Sequence, residues 1–91
     1  MLRRRPILAR YSKRELLILR WMREGAWLQM PGPTVTLHPL VGRDGLPIVQ
    51  VQQRLVQRLV DARRIVWRDD LQAYVITETG LELLHLVSRA A

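Results

Sequence analysis

PIVQVQQRLVQRLVD, residues 47–61, is the stretch on which the reading of the chain turns. Placed on a helix at about 100° per residue, Ile48, Val49, Val51, Leu55, Val56, Leu59 and Val60 fall on one half. Gln50, Gln53, Arg54, Gln57, Arg58 and Asp61 fall on the other, and Gln52 alone interrupts the apolar side. Pro47 suits the first turn, where its missing N–H costs nothing. The spacing therefore predicts an amphipathic helix over 47–61. Its wet face is glutamine and arginine, the side chains suited to adenine and guanine edges in a major groove, so the expectation is a recognition helix. A solvated helix built from good helix formers shows the same face without any ligand, and the β-branched residues of the first turn weaken the helical reading there.

On the N-terminal side, Ser12 to Glu24 reads as a helix that builds the core. Ser12 followed by Glu15 has the spacing of a capping box; Leu16, Leu17, Ile18, Leu19, Trp21 and Met22 supply a wide apolar surface, and Gly25 stands where a left-handed C-cap belongs. Between the two helices, Trp27 to Leu46 is rich in proline and glycine; a short strand at Thr34 to Leu37 and a one-turn helix near Pro39 to Gly42 are expected. Beyond the deciding stretch, Arg64 to Arg68 and Leu71 to Thr77 read as two strands of a hairpin with Asp69 and Asp70 between them. The simplest register pairs Trp67 with Tyr74 and Ile65 with Ile76. Thr77 then N-caps a last helix, Leu81 to Ser88.

Composition bounds the function classes. A chain of 91 residues has room for one modest core, which divides it into a basic arm at 1–10 and a folded domain at 11–91. Fifteen basic residues, fourteen of them arginine, stand against eight acidic ones for a net charge of +7, which favours a polyanionic partner. There is no cysteine for a disulfide framework or thiolate metal site. Neither a signal-peptide pattern nor an apolar run of membrane length is present, so a cytoplasmic protein is expected. His38 and His85 lack metal-ligand spacing, the glycines fit no phosphate loop, and no pair of acids is set for acid–base chemistry. Neither an enzyme activity nor a cofactor is expected.

The segments RLVDARRIV, 58–66, and YVITETGLELL, 74–84, resemble the MarR-type pattern, in which a recognition helix ends in an L-V-D run, a basic turn enters a wing strand, and the second strand ends in L-T-x-x-G-x-x-L. Ile76, Thr77, Gly80 and Leu83 or Leu84 occupy that last motif, and PadR-like and other small regulators share it. The resemblance covers roughly residues 50–84. It implies an α+β winged helix-turn-helix: a three-helix core, a two-stranded C-terminal wing and a terminal helix. It also implies a sequence-specific regulator of transcription that binds double-stranded DNA. Gln50, Gln53, Arg54 and Gln57 are the residues expected to read bases, with Arg58 also on the DNA-binding face and Arg63, Arg64 and the arm residues Arg3, Arg4 and Arg5 on phosphates. A homodimer through the terminal helices is expected from the apolar Leu83, Leu84, Leu86 and Val87. The acidic hairpin tip and the proline-rich middle favour the alternative, a protein-interaction module docking on transcription or replication machinery.

Overall fold

Strand alternation, and not helical periodicity, governs the first part of the deciding stretch. The computed structural model describes residues 11–31 and 36–90; it places Pro47–Gln52 in a strand and only Gln53–Asp61 in a helix. In chain order the elements are α1 (Lys13–Arg23), β1 (Trp27–Leu28), β2 (Leu37–Val41), β3 (Pro47–Gln52), α2 (Gln53–Asp61), β4 (Ile65–Arg68), β5 (Ala73–Ile76) and α3 (Glu78–Ala90). The strands form one antiparallel sheet ordered β3-β2-β1-β5-β4.

This corrects the winged helix-turn-helix expectation. The chain is an α+β fold with a five-stranded sheet and three helices, not a three-helix core with a hairpin wing. The segment expected to supply the second helix, including the one-turn helix near Pro39, instead forms the hairpin β2–β3, with His38 opposite Val51 and Leu40 opposite Val49. β-branched Ile48, Val49 and Val51 suit a pleated surface, and their alternation with Gln50 and Gln52 buries Val51 while leaving both glutamines in water. Pro47 opens an edge strand, a place proline tolerates.

Pro39 is accommodated by a local exchange of donors. The Gln29 N–H donates to the Pro39 carbonyl at 2.9 Å, the half of an antiparallel pair that proline can complete. The other half would be an N–H to the Gln29 carbonyl. His38 supplies it instead: its Nδ1 lies 2.9 Å from that oxygen, with the ring buried.

The expected α1 is present with its N-cap serine and its closing glycine in place, while the Glu15 carboxylate turns to Arg58 and Arg64 instead of completing the capping box. The Glu15 N–H donates to Ser12 Oγ at 3.2 Å. Gly25 has φ +108°, and the Gly25 and Ala26 N–H groups donate to the Met22 and Trp21 carbonyls, which is a Schellman close. The C-terminal hairpin also has the expected register, Trp67 opposite Tyr74 and Ile65 opposite Ile76. It is no free wing, because Tyr74 on β5 also pairs with Leu28 on β1.

One sheet face packs Leu28, Leu40, Val51 and Ile65 against Leu16, Leu19 and Met22 of α1, Val56 and Leu59 of α2, and Leu83 and Leu84 of α3. Thr77 caps α3 by accepting the Gly80 N–H at 3.1 Å. Of the four residues that suggested dimerisation through the terminal helix, Leu83 and Leu84 are core residues, Val87 is half-buried and Leu86 is exposed. Among the described residues no helix is long and apolar enough to cross a membrane.

Candidate nucleic-acid interface

The turn from β3 to α2 splits the residues expected to read DNA. Gln50 lies on β3 opposite Pro39, so its side chain leaves the sheet on the face away from buried Val51 and away from α2. Gln53, Arg54, Gln57 and Arg58 remain on the exposed side of α2, while Val56 and Leu59 bury the other. Arg3, Arg4 and Arg5 lie outside the described residues.

Most of the α2 face is already bonded within the chain. The Gln53 side-chain amide lies 2.6 Å from His38 Nε2. The atom facing Nε2 is Gln53 Oε1; with the ring proton held on Nδ1 by the Gln29 carbonyl, the amide turned over presents its NH2 to Nε2 instead. Gln57 donates to Asp61 Oδ1 at 2.9 Å, one turn along the helix. Arg58, with 54% of its side chain exposed, reaches Glu15 Oε2 at 3.0 Å. Arg54 and Arg63 have no ion pair among the described residues.

Arg64, expected on a phosphate, is instead buried at 2% exposure, its Nη1 donating to Glu15 Oε1 at 3.2 Å. Burial pulls its guanidinium below the ordinary arginine value; the Glu15 charge opposes that and the Arg58 charge adds to it. Glu15 is itself only 1% exposed, so one carboxylate joins the first turn of α1, the last turn of α2 and the entry to β4. The signal for this was in the sequence. Glu15 stands in helical register with Ile18, Leu19 and Met22, on the stripe that must be buried, and a carboxylate there needs a buried cation.

Arg63 has a different peculiarity. It closes α2 with φ +60°; its N–H donates to the Val60 carbonyl and the Arg64 N–H to the Leu59 carbonyl, at 2.9 Å each. That is again a Schellman close, with an exposed arginine where glycine adopts the left-handed conformation freely. Its carbonyl accepts the Thr77 hydroxyl at 2.6 Å, tying the turn to the start of α3.

The acidic hairpin tip is compensated locally. Arg68 Nε and Nη2 donate to the two Asp70 oxygens at 2.9 and 2.6 Å, a bidentate clasp. This hydrogen bonding holds the Asp70 carboxyl below the usual carboxylate range and raises Arg68. Asp69 accepts from the Gln72 amide at 3.1 Å.

Net charge is unevenly spread. Residues 53–64 hold four arginines and one acid, a surplus of three, while the other described residues hold seven bases and seven acids. The remaining surplus of four lies in residues 1–10. Among the described residues no group of three metal-ligating side chains is assembled. Compared with protein-family models, with curated proteins and with solved structures, the chain matches none of them.

Proposed function

We propose that the protein binds double-stranded DNA through the outer face of α2 and the turn that follows it, and acts as a sequence-selective regulator. The observation that carries this reading is that, with the buried Arg64–Glu15 pair set aside, residues 53–64 still hold three arginines against one acid on the exposed side of α2 and its turn. An α-helix is about 10–12 Å across with its side chains, which suits a B-form major groove about 12 Å wide. The deep, narrow major groove of duplex RNA does not admit such a helix. Arg54, on the first turn and without an ion pair among the described residues, is the residue to which we assign base discrimination. Arg63, just past the last turn, is assigned to a phosphate.

Arg63 supplies the sharper test, because its backbone conformation and its proposed role pull in opposite directions. Glycine at this position relieves a left-handed arginine, a strain on the order of 1 kcal/mol. Arg63→Gly is therefore expected to raise the melting temperature by a few degrees and yet weaken binding to every duplex, lowering the slope of log K against log salt by about 0.9. Arg54→Ala is expected to leave stability unchanged and to reduce the preference for a selected site over random duplex by tenfold or more, the worth of about 1–3 kcal/mol per good base contact. Fluorescence anisotropy with labelled duplexes reads both. Unchanged affinities in both variants would set the reading aside in favour of a protein-docking role. The internal bonding of Gln53, Gln57 and Arg58 favours that second reading.

A further inference from the structure

We infer that β3 is a self-association edge, and that a second copy of this chain adds its own β3 antiparallel to it to form a continuous ten-stranded sheet. β3 is the outer strand of the sheet, and its sequence, PIVQVQ, carries no charge. Sheet edges are ordinarily protected by charge, bulges or covering segments because their free N–H and C=O groups invite another strand. The one irregularity here is the register shift at Leu40/Val41, which affects only the Pro47 end.

Which backbone groups face outward follows from the pairing. The Pro39 carbonyl accepts from Gln29 on β1, so Pro39 directs its backbone groups away from β3. Gln50, directly opposite Pro39, is then in a wide pair and directs its own N–H and C=O away from β2, into the open edge. A twofold axis perpendicular to the sheet at Gln50 brings the two Gln50 backbones into a hydrogen-bonded pair. It also sets Val49 of one copy opposite Val51 of the other, on the face that carries the helices.

The helix above this edge makes the partner a second copy. A groove of ≈ 250 Å³ between α1 and β3 is lined by Arg14, Leu17 and Trp21 on one side and Val49 to Gln52 on the other; Trp21 and Glu24 border its continuation beside Pro47 and Ile48. Trp21 and Val49 are 42% and 44% exposed, large apolar groups left in water. The stripe Arg14, Leu17, Trp21, Glu24 reads base, apolar, apolar, acid, and neither charged end has an ion pair among the described residues. Arg14 lies beside the Gln52 end of β3 and Glu24 beside the Pro47 end. The same axis therefore reverses the stripe along with the strand. The basic end of one copy comes to the side of the acidic end of the other, and the apolar centres face each other. The opposite edge, β4, is shorter and ends on Arg68.

Sedimentation equilibrium on the full chain tests this. A monomer–dimer equilibrium is expected at micromolar to tens of micromolar protein. Gln50→Pro removes an N–H that the monomer's sheet does not use and is expected to leave circular dichroism unchanged while abolishing the dimer. Val49→Lys, on an exposed side chain, is expected to do the same should proline disturb the strand. Glu24→Arg is expected to weaken association by tenfold or more, and the swap Arg14→Glu with Glu24→Arg to restore it. A wild-type chain that stays monomeric at tens of micromolar, or a dimer indifferent to both β3 substitutions, would overturn the inference.

Discussion

Glu15→Ala is expected to destabilise the fold by about 3–5 kcal/mol, since it removes the carboxylate of a buried ion pair from the guanidinium it faces. Arg64 cannot relocate easily. Its side chain is 2% exposed, and its backbone is fixed on both sides, the N–H on the Leu59 carbonyl and the carbonyl accepting from the Thr77 N–H at 3.0 Å. Arg58, half in water, simply loses a partner. For a domain of this size about 4–8 °C is lost per kcal/mol, so the melting temperature should fall by well over about 12 °C, or the chain should fail to fold. The informative comparison is Glu15→Leu combined with Arg64→Met. An apolar replacement of similar volume for both members of a buried pair is often neutral or stabilising, so the double variant should recover most of what either single change loses. Losses that merely add would show that the two side chains do not act together.

The second large effect is expected at Gly80, where the sign is the test. In an ordinary helix interior, glycine to alanine stabilises by about 1 kcal/mol. Here an added Cβ would stand 2.5 Å from the Arg64 carbonyl oxygen and 2.8 Å from Ile76 Cγ1. The first obstacle is backbone, already bonded to Thr77, and cannot swing aside as a flexible side chain would. Overpacking of this kind typically costs about 1–3 kcal/mol, enough to cancel the propensity gain. Gly80→Ala should therefore lower the melting temperature, and larger residues should lower it further. A raised melting temperature would mean that α3 sits farther from the Arg64 turn than described.

Both effects converge on one junction, where the end of α2, the start of β4 and the first turn of α3 meet. Its parts were legible in the sequence for local reasons. Thr77 and Gly80 stand at cap spacing, and the simplest register for the alternating Ile65, Trp67, Tyr74 and Ile76 keeps large side chains on one face. The same holds for α1, whose two ends carry their own capping chemistry. The residues that misled were those whose structure depends on distant partners. Ile48, Val49 and Val51 fit an apolar stripe at helical spacing and an alternating strand equally well, and only pairing with Leu37–Val41 decides between them. Pro39 looks like a helix start or a turn until the His38 ring is seen doing the work of the missing N–H.

The same distinction applies to the candidate site. Gln53, Arg54, Gln57 and Arg58 stay together because they lie within one helix. Gln50 is lost to the sheet edge and Arg64 to the core, each by a contact distant in sequence. Only the burial of Glu15 on an apolar stripe announced the second of these.

The measurement that bears most directly on the proposed DNA surface is amide chemical-shift mapping during titration with a short duplex at low salt. Perturbations are expected to concentrate on the first turns of α2, around Gln53 to Gln57, and on the Ala62–Arg64 turn, and to fade as salt is added. β1, the hairpin β4–β5 and the α1–β3 groove should be little affected. Shifts that instead follow Arg14, Trp21 and β3, or that are absent from α2 at every duplex concentration, would contradict the account.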